Sequence, residues 1–179
     1  MTDQEILKLL ERDRDRGVEQ LFRRYYKLVH QTVLRILSDR TAAEDVAQEV
    51  FLELWRKRER LNVSSSIPAY LRRAARNRAL NHIRDRKLKF DDRDEGTLEL
   101  PSGATTVNQK LAAEELQLRI DAAIEALPER CRIVFALSRF EDMSYREIAE
   151  ELDISVKTVE NQISKALRLL RSALGDYLR

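Results

Sequence analysis

The chain has 179 residues, of which 33 are Lys or Arg and 31 are Asp or Glu, so the net charge is only +2 although 36% of the residues are charged. A surface for nucleic acid must therefore come from local segregation of charge. The single cysteine excludes an internal disulfide and fits a reducing cytoplasm. No apolar stretch reaches the ~18 residues of a membrane span, and the N-terminus lacks the pattern of a signal peptide.

The first two predicted helices lie before residue 38. Residues 3–14 form a short charged helix, which Gly17 breaks. A longer helix from Val18 to Leu37 carries apolar residues at helical spacing, and we predict that this stripe is core. The stripe comprises Leu21, Phe22, Tyr25, Leu28, Val29, Val33, Ile36 and Leu37.

The third predicted helix has an apolar core face and a second, mixed stripe. Thr41 and Glu44 have the spacing of a capping box, so the helix should begin there and run to about Arg60. Its core face consists of Ala43, Val46, Ala47, Val50, Phe51 and Leu54. The opposite side carries Asp45, Gln48, Leu52 and Trp55. Scattered exposed apolar residues are ordinary, but a Leu and the only Trp of the chain between polar side chains favour a partner-binding patch.

A polar loop, Asn62–Ser66, precedes a strongly basic helix. Pro68 suits its first turn, and from Pro68 to Lys89 eight Lys or Arg stand against one acid, Asp85. We predict that the helix ends near Lys87 and buries Leu71, Ala75, Ala79 and Ile83. The opposite side carries Tyr70, Arg73, Arg76, Asn77, Asn81 and Arg84. A solvated basic face is the usual explanation of such a run, but the lack of counter-charge and the interleaved Tyr and Asn favour single-stranded or distorted nucleic acid.

Residues 90–108 change in character. They contain Gly96, Pro101, Gly103 and five acids without a helical period, which predicts a flexible acidic linker. Helices return on either side of Pro128. The first runs from about 108 to 126, with apolar contacts from Leu111, Leu116, Leu118, Ile120, Ala123, Ile124 and Leu127. The second contains the only cysteine, Cys131, which we interpret as buried filler.

Residues 143–171 predict two helices joined by a tight turn. Ser144 and Glu147 have the spacing of a capping box. Asp153 stands where a left-handed residue ends the first helix, and Asp tolerates that conformation. Ser155 then caps the second helix.

The second of these helices has one apolar and one polar face. Val156, Val159, Ile163, Ala166, Leu167 and Leu170 share the packing face. Lys157, Thr158, Asn161, Ser164, Lys165 and Arg168 share the other face, which is interrupted by Glu160. Such donors suit phosphates and base edges, so we predict a helix-turn-helix with its recognition helix second. An amphipathic hairpin with a solvated face is the alternative, and the small Ala149 and the three-residue turn favour DNA binding.

Few Gly and Pro, and no long alternating β-branched run, predict an all-α fold. We expect two small helical domains, residues 1–89 and 109–179, joined by the linker 90–108. The helix-turn-helix belongs to the second domain.

Three segments, in order and spacing, resemble small bacterial sigma factors of the extracytoplasmic-function (ECF) group. They are DRTAAEDVAQEVFLELW (39–55), IPAYLRRAARNRALNHIR (67–84) and LPERCRIVFALSRFEDMSYREIAEELDISVKTVENQISKAL (127–167). The resemblance spans nearly the whole chain. It implies an RNA polymerase subunit that directs promoter recognition and open-complex formation, and its members are often held inactive by an anti-sigma factor.

The resemblance also implies site residues. Asp45, Gln48, Glu49, Leu52 and Trp55 match the helix that binds the clamp of core polymerase. For the −10 element, the resemblance and the basic face together predict binding residues on the polar loop and on the basic helix, and the loop would hold a flipped-out base. These residues are Asn62, Ser64, Ser65, Tyr70, Arg73, Arg76, Asn77, Asn81 and Arg84. For the −35 element, they predict Lys157, Thr158, Glu160, Asn161, Ser164, Lys165 and Arg168. The acidic linker resembles the connector that threads the polymerase cleft.

Three other classes of protein are alternatives. A helical RNA-binding protein would not need the reader of double-stranded DNA in residues 143–171. A stand-alone helix-turn-helix regulator would bind duplex DNA without polymerase, but it leaves the Leu52 and Trp55 patch and the basic helix without a role. An enzyme is disfavoured because the sequence shows no nucleophile–base pair, no metal-ligand spacing and no phosphate-binding Gly loop. We therefore expect no cofactor and no metal.

Overall fold

The computed structural model describes residues 1–60, 63, 66–86 and 109–175, with side chains from residue 115 onward in the last range. Within these ranges the regular structure is helical, without a strand, which confirms the predicted all-α class. The chain divides into two compact units, Met1–Leu88 and Lys89–Arg179. Each unit is described below by itself.

The first unit is built around its longest helix. Its elements are α1 (Asp3–Arg12), α2 (Arg14–Leu37), α3 (Arg40–Arg56), a short 3-10 helix (Arg58–Arg60) and α4 (Ile67–Asp85). α2 contacts each of the other three α-helices. Leu21, Val29 and Val33 of α2 are fully buried between them, as the apolar stripe predicted.

The predicted break at Gly17 is wrong. The chain turns at Asp13, which ends α1 and caps α2 by accepting the backbone N–H of Arg16 at 3.1 Å. Gly17 lies buried inside α2, where a Cβ atom would stand 2.5 Å from Cδ2 of Leu10. The glycine therefore allows the close approach of α1 and α2, and it does not interrupt a helix.

The predicted capping box at the start of α3 is also wrong, although the helix exists. Asp39 is the N-cap, accepting the backbone N–H of Ala42 at 3.1 Å, and Thr41 lies inside the helix. Asp is among the preferred N-cap residues, and here it precedes the threonine. The helix ends at Arg56 and not at Arg60. Its six predicted core residues are all buried.

The second unit contains α5 (Gln109–Glu125), α6 (Glu129–Arg139), α7 (Tyr145–Leu152) and α8 (Val156–Leu174). α7 and α8 form the predicted helix-turn-helix. The Ser144 hydroxyl accepts the N–H of Glu147 at 3.3 Å, and the Glu147 carboxylate accepts the N–H of Ser144 at 2.8 Å. Asp153 is left-handed, with φ 53° and ψ 50°. Ser155 caps α8 by accepting the N–H of Thr158 at 3.0 Å. The predicted capping and turn are confirmed.

Among the described side chains of this unit, four apolar residues that were expected to pack are exposed. Val156 and Leu167 are 38% and 37% exposed, and Leu116 and Leu118 are 37% and 70% exposed. Val156 is the first residue of α8, and Leu167 lies about 100° past the buried Ala166, so both sit at the margin of the packed stripe. Leu118 lies about 140° around α5 from the buried Ala123, and therefore points away from the packed side.

A buried polar contact joins α6 to α8. The thiol of Cys131 donates to Oε1 of Gln162 at 3.0 Å, and both residues are buried. Cys131 is therefore structural, as predicted. Gln162 packs inward from α8 and is separate from the polar outer face of that helix.

Candidate functional site

The outer face of α3 presents the mixed stripe that the sequence predicted. Leu52 is 47% exposed and Trp55 is 38% exposed, whereas Val50, Phe51 and Leu54 of the same helix are buried. The polar members of the predicted site, Asp45, Gln48 and Glu49, are also exposed. Two large apolar side chains are therefore partly exposed beside acceptor groups, on a helix whose core face is already filled.

The apolar surface extends from α3 onto α2, which the sequence did not predict. Phe22 belongs to the predicted core stripe of α2, but its side chain is 43% exposed. Leu21 and Phe22 are consecutive and lie about 100° apart around the helix, and the fully buried Leu21 takes the inward direction. Phe22 packs edge-on against Phe51, with ring centroids 5.1 Å apart.

A small pocket opens beside this aromatic pair. It has a volume of about 240 Å³ and is lined by Val18, Glu19, Phe22, Phe51 and Trp55. Four of the five lining side chains are apolar, and Glu19 contributes its apolar methylene stem. The predicted stripe on α3 thus borders a recess that could receive an apolar side chain.

Glu49, the third acceptor of the predicted site, is engaged within the unit. Its Oε2 accepts from Nε of Arg78 at 2.8 Å, with the side chains 49% and 38% exposed. This ion pair joins α3 to α4. One turn further along α3, a hydrogen bond from Lys57 lowers the pKa of Glu53 below its ordinary value, and nearby Arg78 adds to the effect.

The outer face of α4 carries the predicted basic and amide residues. Arg73, Asn77, Asn81 and Arg84 are exposed, and Tyr70 and Arg76 are half-buried. Burial raises the pKa of the Tyr70 hydroxyl, so it stays a neutral donor and acceptor. Ser66 caps the helix by accepting the N–H of Ala69 at 3.4 Å. The predicted loop residues Asn62, Ser64 and Ser65 lie outside the described residues.

The outer face of α8 brings the remaining predicted residues together. Asn161, Ser164 and Arg168 are exposed, and Lys165 is half-buried. Lys157 forms an ion pair with Glu160 at 3.3 Å, and the Thr158 hydroxyl lies 2.9 Å from that of Ser155. Glu160 therefore offsets the charge of Lys157, and the other two cations of this face, Lys165 and Arg168, lie further along the helix.

Comparison with known families gives two matches. The model for sigma-70 region 2 matches residues 21–89, which include α3 and α4, and the model for sigma-70 region 4 matches residues 117–170, which include α6 and α7 and most of α8. Together the two models cover more than half of the chain.

Full-length relatives agree with these matches. The RNA polymerase sigma-H factor of Pseudomonas aeruginosa is 28% identical, over 99% of this chain and 96% of its own length. The ECF RNA polymerase sigma factor SigW of Bacillus subtilis is 29% identical, over 85% of this chain and 86% of its own. The ECF RNA polymerase sigma factor SigK of Mycobacterium tuberculosis is 25% identical, over 82% of this chain and 79% of its own length.

Two solved structures were also matched. CnrH in complex with the cytosolic domain of CnrY is 23% identical and matches 97% of each chain, with a TM-score of 0.48. The sigma factor RpoE in complex with the anti-sigma factor NepR, from Bartonella quintana, is 19% identical over 88% of this chain and 96% of its own, with the same TM-score of 0.48.

The chain belongs to the sigma-70 family of RNA polymerase sigma factors. Within that family it is a sigma factor of the ECF type. It is a non-enzymatic protein that associates with RNA polymerase, binds promoter DNA and directs transcription initiation. Among the described residues, no helix is both long and apolar enough to cross a membrane, and none of their His, Cys, Asp and Glu side chains form a metal-binding group.

Proposed function

We propose that this sigma factor binds core polymerase, the −10 element and the −35 element through three separate surfaces. The outer face of α3, with Asp45, Gln48, Glu49, Leu52 and Trp55, binds core polymerase. The outer face of α4 reads and opens the −10 element, and the outer face of α8 reads the −35 element. The first surface belongs to the domain proposed for residues 1–89, the third to the domain proposed for 109–179, and residues 90–108 connect the two.

One observation carries the assignment of α3. Leu52 is 47% exposed on the side of the helix opposite a fully buried core face. Trp55 is 38% exposed although Arg58 packs on its ring, so packing within the unit leaves both side chains partly unburied. Burying a large apolar side chain is worth ~1.5–3 kcal/mol. Two such anchors, surrounded by polar groups that fix orientation, have the composition of an interface hot spot.

The assignment of α4 is supported by its exposed cations and amides. Melting a promoter exposes single-stranded DNA, and an extruded base costs a few kcal/mol. Arg73 and Arg84 can hold the displaced backbone, while Asn77 and Asn81 can donate to and accept from base edges.

The assignment of α8 is supported by its place in the helix-turn-helix. The recognition helix of this motif enters the major groove with its N-terminal part. Asn161 can pair with adenine, and Lys165 and Arg168 can contact guanine or phosphate.

Two further proposals follow from membership of the ECF group. The protein acts in the cytoplasm, where RNA polymerase is, and an anti-sigma factor holds it inactive until a signal arrives. The resemblance of the whole chain to small ECF factors supports both.

Reconstituted transcription tests the proposed function. The purified chain and core polymerase are mixed with genomic fragments, and the start sites that depend on the chain are mapped. We expect defined starts, each preceded by a shared pair of upstream elements. If the chain binds duplex DNA tightly without polymerase and yields no dependent start, it acts as a stand-alone regulator and the proposal fails.

A further inference from the structure

The indole of Trp55 is covered by a cation from the element that follows α3. Arg58 belongs to the 3-10 helix Arg58–Arg60, and its Cζ lies 4.8 Å from the centroid of the Trp55 ring. Its Nη1 also donates to the carbonyl oxygen of Trp55 at 2.9 Å. The guanidinium thus contacts both the side chain and the backbone of the same residue. A cation over an indole face is attracted by the ring quadrupole.

Arg58 is itself held by the start of α2. Its Nε lies 2.5 Å from Oδ1 of Asp15 in an ion pair, although the N–H is not aligned for a hydrogen bond. Its carbonyl oxygen accepts from Nη1 of Arg14 at 2.8 Å. Only 30% of the Arg58 side chain is exposed. The guanidinium is therefore fixed by groups on two elements and is not a freely moving surface cation.

The same indole lines the apolar pocket between α2 and α3. Trp55 therefore contacts the Arg58 guanidinium and also lines the apolar pocket. An anchor that is already held in its bound orientation loses less conformational entropy on association.

We propose that Arg58, pinned by Asp15, is a positioning residue that holds Trp55 in the orientation that core polymerase binds. The inference rests on the proposed function of the outer face of α3. It assigns no direct polymerase contact to Arg58. Removal of the guanidinium should leave the helix folded and the indole exposed but freer to rotate.

The test uses the fact that Trp55 is the only tryptophan in the chain, so its intrinsic fluorescence reports on this one side chain. Arg58→Gln is compared with Arg60→Gln, which removes an exposed cation from the same short helix. We expect Arg58→Gln to increase acrylamide quenching and to lower the fluorescence anisotropy of the free full-length protein. Asp15→Asn should have a smaller effect in the same direction, and Arg60→Gln should have none.

Binding to core polymerase is then measured for the same proteins, with folding checked by circular dichroism. Arg58→Gln should weaken binding about 3- to 10-fold, the cost of ordering one more side chain on association. In a Trp55→Ala background the same substitution should have no further effect. Unchanged quenching and affinity in Arg58→Gln would overturn the inference. An equal loss of affinity with and without Trp55 would also overturn it, because Arg58 would then contact polymerase directly.

The Trp55→Ala protein separates this inference from the proposed function. If it binds core polymerase as tightly as the wild type, Trp55 is not an anchor and the assignment of this residue to the polymerase surface fails. If it binds weakly while Arg58→Gln behaves as the wild type, the polymerase surface stands and only the positioning role of Arg58 is refuted.

Discussion

Leu52→Glu is the substitution that most sharply separates a role in binding from a role in folding. Leu52 is 47% exposed, so roughly half of its side chain remains to be buried by a partner. At ~1.5–3 kcal/mol for complete burial, Leu52→Ala should lose ~1 kcal/mol of binding free energy, about a 5-fold weaker affinity. Leu52→Glu additionally places an unpaired carboxylate in the interface, and we expect a loss of at least ~2 kcal/mol, about 30-fold.

The free protein should tolerate both changes. Substitutions at exposed positions away from structural features usually change stability by less than ~0.5 kcal/mol, and Ala and Glu are good helix formers. The assay is titration of labelled protein with core polymerase, with thermal unfolding of the free variants measured in parallel. Gln31→Glu is the matched control, since it adds the same charge to an exposed position of α2 that lies about 180° around that helix from Phe22. Wild-type affinity in Leu52→Glu would refute the reasoning, and so would a Leu52→Glu protein that unfolds.

Three further predictions concern the other surfaces and the core. Asn161→Ala or Lys165→Ala should weaken holoenzyme binding at the −35 element by ~1–3 kcal/mol, measured by gel shift, and normal binding by both variants would refute the role of α8. Replacing Asn77 and Asn81 together with Ala should lower permanganate reactivity of thymines in the promoter bubble while binding to the upstream duplex persists, and unchanged reactivity would refute the role of α4. Gly17→Ala should destabilise the protein by ~1–3 kcal/mol, because its Cβ would overlap Leu10, and an unchanged melting temperature would contradict the close approach of α1 and α2.

The sequence predicted most of what depends on local periodicity and capping. The core face of α3 and the caps of α7 and α8 follow from spacing and side-chain chemistry, and the structure confirms them. The start of α3 was predicted incorrectly, because two nearby residues can each serve as the N-cap. Asp39 precedes Thr41 and takes that role, since Asp ranks above Thr at the N-cap and the capping-box spacing of Thr41 and Glu44 did not outweigh that preference.

The contacts between helices could not be predicted from the sequence. Gly17 looks like a helix breaker in sequence, and only the packing of Leu10 against it shows why a glycine stands there. The exposure of Phe22 and the support of Trp55 by Arg58 depend on how α2 and α3 meet. The ion pair between Glu49 and Arg78 joins residues that are 29 positions apart. The candidate residues on α3 were therefore predictable, but the groups that orient them were not.

Site-specific photocrosslinking can show whether the outer face of α3 touches core polymerase. A photoreactive amino acid replaces Leu52 on the outer face of α3, or the exposed Gln31 of α2 as a control away from that face, and each full-length protein is irradiated with core polymerase. We expect a crosslink from position 52 to a polymerase subunit, abolished by excess unlabelled wild-type protein, and none from position 31. Absence of a crosslink at position 52 in a variant that still supports promoter-specific transcription would contradict the assignment of this face to polymerase.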